Sequence, residues 1–208
     1  SDWVAETQRS FQPLQAGRYF IRPSHYEVPT PAGSKVIMVD AGAAFGTGEH
    51  ATTKGGLLAL DRLARARRFV KPLDLGCGSG ILSMAVAKTW HVRVMAADID
   101  PQSVKVARKN ARLNRLAGWV HTVRSDGFAA PQLRRRAPYD LIIANILARP
   151  LVGLSFAIRR HLAPGGVCVL SGLLSHQEKE VTAAFRRQGL FLKRRIPIDG
   201  WHTLIVSR

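Results

Sequence analysis

The residues best suited to chemistry in this chain fall in a few short segments. The most informative is PLDLGCGSGIL, residues 72–82, where an apolar run reaches Asp74, turns through glycines and opens a helix near Gly80. Gly76 and Gly78 let the backbone turn tightly and come close to a ligand. The start of the following helix then faces that ligand. The spacing is GxGxG; hydride-transfer enzymes usually carry GxGxxG, and here the sixth position is Ile81.

A second segment, AADIDP, places Asp98 22 positions after Gly76, at the end of the next apolar run. A carboxylate at that spacing can accept hydrogen bonds from both hydroxyls of a ribose. Asp100 before Pro101 reads as a helix N-cap with proline in the first turn. Ile99 is the natural apolar plate beneath an adenine ring, or else plain helix packing. SDGF follows, and Asp126 can accept from an exocyclic amine such as adenine carries, or simply make an Asp-Gly turn. In ANIL, Asn145 ends a buried run just before a helix. It reads either as a cap or as an amide that contacts the ligand or an acceptor amine.

A glycine-rich stretch, AGAAFGTGEHATT, precedes all of these. It lacks Gly-Lys-Ser/Thr and is therefore no phosphate loop. It reads as a lid over a bound cofactor, closed by Phe45 with Gly46 and Thr47, and Thr53 caps or enters the next helix. His50 is the best candidate by type for a base, unless it is a loop histidine facing solvent.

The elements that must position these groups alternate. Apolar strands are expected at 70–75, 92–97, 119–124, 139–144 and 166–171, with helices at 52–68, 81–88, 102–114, 148–161 and 177–188. Two more strands are expected at 190–196 and 201–206, and the first 35 residues read as an irregular arm with short strands at 17–21 and 35–39. Continuous apolar strands separated by helices imply a parallel sheet covered on both faces. Right-handed crossovers make such a sheet doubly wound, with its ligand outside the carboxyl ends of the strands. Each motif falls at such an end. Residues 1–40 are assigned to the arm and 41–208 to the nucleotide-binding domain.

Thirty-one Lys and Arg against fourteen Asp and Glu give a net charge of +17 in 208 residues. Such a field attracts polyanions, so contact with ribosomal RNA through a basic surface is one expectation; a merely solvated Arg-rich surface is the other. No run of about 18 apolar residues suggests a membrane span. Cys77 and Cys168 read as reduced thiols in a cytoplasmic protein, and no Cys/His spacing suggests a metal site.

FGTGEHATT, DLGCGSGIL, DIDP, LIIANILA and LAPGGVCVLSGLL together resemble, in order and spacing, the methyltransferases of large-subunit ribosomal protein L11 (the PrmA family) over roughly residues 2–206. The resemblance implies a seven-stranded, mostly parallel, Rossmann-like class I methyltransferase sheet with an antiparallel C-terminal strand. It implies S-adenosylmethionine as cofactor, held by Thr53, Gly76, Asp98 and Asn145. It further implies N-methylation of lysine side chains and the N-terminal amine of that ribosomal protein. Family members usually carry a separate N-terminal recognition domain, which this sequence does not contain; the chain reads as the catalytic domain alone, either as a fragment or with a changed substrate. Departures at Ala41, Glu49, Ala51 and His25 bear on acceptor recognition more than on the cofactor.

Methyl transfer from a sulfonium leaves a neutral group behind, so catalysis is expected from proximity and orientation. The acceptor must lose a proton first. For a lysine of pKa about 10.4 this costs roughly 4.6 kcal/mol at pH 7, against about 1 kcal/mol for an α-amine. Two rivals are a nucleic-acid methyltransferase and a non-catalytic RNA-binding module. Enzymes acting on base amines usually show Asn/Asp-Pro-Pro-aromatic, where this chain has Ile146 and Leu147 after Asn145. Intact Gly76, Gly78, Asp98 and Asn145 speak against the second.

Overall fold

The computed structural model describes residues 12–25, 27–40 and 47–208. Strands β1 (Leu14–Ala16), β2 (Tyr19–Pro23) and β3 (Lys35–Val39) come first, followed by helix α1 (Thr47–Ala66). The core then alternates through β4 (Pro72–Leu75), α2 (Ile81–Trp90), β5 (Val94–Asp98), α3 (Pro101–Leu113) and β6 (Val120–Arg124). It continues with α4 (Pro131–Arg136), β7 (Tyr139–Asn145), α5 (Ala148–His161), β8 (Leu162–Leu174), α6 (Glu178–Arg187), β9 (Phe191–Ile198) and β10 (Trp201–Ser207).

Seven strands form one sheet in the order β6-β5-β4-β7-β8-β10-β9. Neighbours from β6 to β8 run parallel, while β10 is antiparallel to both β8 and β9. The expected doubly wound sheet with a reversed C-terminal strand is therefore found. The reason lies in the strand sequences. In β4, Leu73 and Leu75 face a cluster that includes Leu151 of α5 and Phe185 of α6, and in β7 Ile142 and Ala144 join them. Leu141 and Ile143 point the other way, among Leu57 and Leu60 of α1 and Met84 of α2. Both faces are dry, so a strand reads apolar throughout instead of alternating.

Strand order reverses between β4 and β7, where Leu75 pairs with Ala144 and Leu75 also pairs with Ala97 of β5. A crevice opens at that point, outside the strand ends, as such sheets require.

The N-terminal segment is more ordered than an irregular arm. β1 pairs antiparallel with β2, and β2 parallel with β3. This small sheet rests on the helices. Tyr19 is fully buried, with its hydroxyl 2.6 Å from that of Thr89, and Arg18 Nε donates to Asp61 at 2.6 Å. The Asn114 side chain bridges the backbone of Met38, donating to its carbonyl at 2.7 Å and accepting from its N–H at 2.8 Å.

The main differences from the sequence reading are two boundaries and one added helix. α1 begins at Thr47, so part of the supposed lid loop is helix, started with Glu49 in its first turn, a favourable charge there. β8 extends to 13 residues because its first turn also pairs, Leu162 with Tyr139, despite Gly165 and Gly166. The short helix α4 was not foreseen; its six residues include three arginines and bury only Leu133.

Candidate active site

The loops after β4, β5, β6 and β7, together with the start of α1, line a cleft of about 1260 Å³ at the point of strand reversal. Its floor is the glycine turn. Gly76 and Cys77 both donate their backbone N–H to the carbonyl of Ala97, at 2.8 and 2.9 Å, which folds the chain sharply at the end of β4. Gly76 has φ +78, and a Cβ there would stand 2.6 Å from Ile146 Cγ2 and 3.0 Å from the Asn145 carbonyl. Only glycine allows the β4 and β7 loops to approach this closely.

Asp98, the last residue of β5, ties two motifs together. One carboxylate oxygen accepts from the N–H of Gly78 and the other from that of Asp100, each at 2.9 Å. Asp100 is the N-cap of α3, accepting from Gln102 N–H at 3.0 Å with Pro101 in the first turn, as its sequence implies. Ile99, 56% exposed, stands on the cleft wall, and Asp126 lines the opposite side on an exposed turn. That turn is held to β5 by the Ser125 N–H, which donates to the Asp98 carbonyl at 2.9 Å.

Asn145 ends β7 opposite Ser171 of β8 and faces the cleft. It does not cap α5; that position belongs to Leu147, with no side-chain cap. Thr53 lies inside α1, almost fully buried, and lines the cleft with Thr52. α1 can sit this close because Gly55 meets Thr203, where a Cβ would collide with the hydroxyl. Ser171 Oγ also donates to the Thr52 carbonyl at 3.0 Å.

The structure thus brings Thr53, Gly76, Gly78 and Asp98 to one cleft with Ile99, Asp126 and Asn145. His50, half-buried on α1, is not among the residues lining it. Thr47 is the first residue of α1, while Phe45 and Gly46 lie outside the described residues.

Other cleft residues escaped the sequence reading. Asp74 is fully buried; Ser83 Oγ donates to its Oδ2 at 2.5 Å, and among the described residues Oδ1 has no partner. Burial pushes its carboxyl up to about 7, against the Ser83 hydrogen bond and with help from the nearby Asp98 charge. Its place before GCGSG was the available signal. Gly172, with φ +86, lies where a Cβ would be 2.8 Å from the Ile146 carbonyl and 3.3 Å from Asn145 Oδ1. Leu147, Pro150, Leu154 and Trp201 give the mouth an apolar rim; nothing in their local sequence distinguishes them from core residues. Cys77 is buried, and burial raises its thiol pKa. Among the described residues no group of three or more His, Cys, Asp or Glu is placed to hold a metal, and no helix is long and apolar enough to cross a membrane.

A profile of the family described as "Ribosomal protein L11 methyltransferase" matches residues 1–208. The chain belongs to that family. A ribosomal protein L11 methyltransferase of Chelativorans sp. is 45% identical over 207 residues, covering 100% of this chain and 71% of the relative. One from Bradyrhizobium diazoefficiens is also 45% identical over 207 residues, covering 100% and 70%. The crystal structure of ribosomal protein L11 methylase from Lactobacillus delbrueckii subsp. bulgaricus superposes with a TM-score of 0.83 at 28% identity, covering 95% of this chain and 99% of that one. An RNA methyltransferase from Salinibacter ruber, crystallised with S-adenosyl-L-homocysteine, shares the fold at a TM-score of 0.57 and 23% identity, covering 72% and 87%. This family member is a methyltransferase.

Proposed function

We propose that the cleft binds S-adenosylmethionine and that the protein methylates ribosomal protein L11 on lysine side chains, the N-terminal amine, or both. The observation that carries this reading is the convergence of the four strand-end loops on one cleft at the strand reversal, with Asp98 holding the glycine turn. The residues present fit the cofactor. The unpartnered Oδ1 of Asp74 suits its ammonium group. The carboxylate of Asp98 suits the ribose hydroxyls, Ile99 the adenine face and Asp126 the adenine amine. Among the described residues nothing lies within 4 Å of where a Cβ on Gly78 would be, which leaves room beside it for a ligand. Thr53 and the backbone of Gly76 complete the holding set, and Phe45, Gly46 and Thr47 supply the lid. Residues 41–208 form the methyltransferase unit, with 1–40 as the arm leading into it.

The bound cofactor supplies an electrophilic methyl group on a sulfonium. The chain's own work is to hold and dry the acceptor. Leu147, Leu154 and Trp201 exclude water from the mouth, which disfavours an ammonium and lowers the cost of deprotonating a lysine. Asn145 stands at the cleft wall, and its amide orients the acceptor nitrogen. The acceptor's proton would leave to solvent, the freed amine would take the cofactor's methyl group, and orientation by the cleft residues would supply most of the rate. His50, set back from the cleft lining, would act only as a relay. A ribosomal acceptor places the reaction in the cytoplasm, and the excess of positive charge favours an acceptor presented on RNA.

The test is transfer of labelled methyl groups to purified ribosomal protein L11, with ribosomal RNA as a parallel substrate. Label in the protein supports the reading. Label confined to RNA overturns it.

A further inference from the structure

A second hollow lies away from the cleft, between the C-terminal half of α1 and the edge strand β9. It measures about 250 Å³ and is lined by Leu58, Asp61, Arg62, Arg65, Arg194 and Ile196. Leu58 and Ile196 form an apolar floor packed against the core. Asp61 is nearly buried, and both of its oxygens are engaged, by Arg18 Nε at 2.6 Å and by Arg65 at 3.0 Å. Burial alone would raise its pKa, but the hydrogen bonds and charge of Arg18, with Arg65, hold it below the usual carboxylate range. Asp61 therefore stays ionised, and it is already matched by Arg18, which lies outside the lining. That leaves Arg62, Arg65 and Arg194 in excess around one small hollow. Among the described residues, neither Arg62 nor Arg194 pairs with a carboxylate. Arg62 and Arg65 are three residues apart and share a helix face.

We propose that this groove binds the sugar-phosphate backbone of RNA. Guanidinium groups match phosphate geometry, and three clustered cations with a surplus of positive charge favour a polyanion over a neutral partner. The hollow is smaller than the usual range for an enclosed small-molecule site, roughly 300–1,000 Å³. It therefore suits a backbone passing across it. An added protein strand is disfavoured, because β9 presents Lys193, Arg194, Arg195 and Pro197 along the sheet edge. The choice of RNA among polyanions rests on the ribosomal acceptor proposed above. Arg62 lies nine residues beyond Thr53 on the same helix, about 14 Å along its axis. A protein anchored on RNA in the groove could reach the cleft with four or five extended residues, at about 3.3 Å each.

The test is fluorescence anisotropy of a labelled RNA hairpin against the full chain over a salt series. Arg62→Gln and Arg194→Gln are made singly and together. Arg135→Gln/Arg160→Gln, on the helices that cover the other face of the sheet, is an equal-charge control. The double variant is expected to bind at least about tenfold more weakly, with its log–log salt slope reduced by about two, one for each phosphate no longer neutralised. Each single variant should give about half of that slope change, and the control much less. Binding of S-adenosylhomocysteine by calorimetry should stay at the wild-type level in all variants, which shows that they are folded. Wild-type slope and affinity in the double variant, or equal losses in the control, overturn the proposal. So does polyglutamate competing as well as RNA, which would assign the groove to an acidic polypeptide. Methyl transfer to free ribosomal protein L11 is read separately; its absence alongside groove-dependent RNA binding would refute the acceptor and leave the groove standing.

Discussion

The carboxyl of Asp74 offers the sharpest quantitative test of the cleft. In the free protein burial raises its pKa to about 7, well above the unfolded value near 3.9. The sign follows from that direction. The folded protein prefers the protonated carboxyl, so stability from this group is intact below pH of about 4 and is lost as pH rises through about 7, a penalty on the order of 4 kcal/mol when complete. A cofactor ammonium beside the unpartnered Oδ1 would favour the ionised form and remove much of that penalty on binding. Cofactor affinity should therefore rise with pH through this window. If the carboxyl stays ionised in the complex, the apparent association constant should fall roughly fifteenfold between about pH 7 and pH 5.5. The assay is calorimetric titration with S-adenosylhomocysteine, whose ammonium remains charged over that range. Asp74→Asn keeps the shape and an acceptor for Ser83 but cannot titrate. It should bind about 10–100-fold more weakly at pH 7, the worth of a charged hydrogen bond, and lose most of the pH slope. Histidines elsewhere contribute equally to both proteins, so the difference isolates Asp74. A wild-type affinity flat in pH, or an undiminished slope in Asp74→Asn, would refute the assigned role.

Three further outcomes are expected. Asp98→Ala should weaken S-adenosylhomocysteine binding tenfold or more and lower stability by about 1–2 kcal/mol, because the N–H groups of Gly78 and Asp100 lose their acceptor; calorimetry and thermal melting read the two effects. Asn145→Ala should lower turnover more than cofactor affinity, and equal losses in both would make it a binding residue only. Glu178, almost buried, accepts from Nε of the exposed Arg195 at 2.7 and 2.8 Å and from His202, so Glu178→Gln should destabilise by about 1–2 kcal/mol in chemical denaturation, because solvent around Arg195 screens the pair. The Arg195 hydrogen bonds outweigh burial and, with His202, depress its pKa; that contribution should be present above the ordinary glutamate pKa and fade as pH falls through the lowered one.

Much of this was legible in the sequence, for identifiable reasons. A parallel strand covered on both faces writes itself as a continuous apolar run, and β4, β5 and β7 are such runs. The glycine turn is legible because Gly76 occupies a conformation and a space that other residues cannot. The Asp98 spacing is legible because one βαβ unit has a nearly fixed length. Errors arose where pairing or capping is decided by tertiary neighbours. α1 starts at Thr47, inside a glycine-rich stretch, and Gly55 seats it against Thr203, a contact between residues far apart in the chain. The three-residue β1 is too short to show a period, and it exists because β2 offers an edge.

The cleft itself divides along the same physical line. The cofactor recognition proposed here uses charge and backbone freedom, which need particular residue types at fixed local spacings; Gly76, Gly78 and Asp98 stand out in the sequence for that reason, whereas the role of Asp74 does not. Acceptor handling for methyl transfer needs dryness and orientation instead, since no charge develops that demands a dedicated base or an anion-stabilising donor. Dryness is supplied by whatever apolar side chains the fold delivers. Here Leu147 and Leu154 come from the β7 end and α5, while Trp201 arrives from the start of β10, paired with Leu174. Such residues look like core until the sheet order places β8 beside β7 and β10 beyond it. Gly172 belongs with them: it takes up a left-handed backbone and admits the Ile146 carbonyl and the Asn145 amide. If these residues handle the acceptor as proposed, that half of the site is written in topology, and replacing rim residues should change acceptor preference while leaving cofactor affinity near its original value.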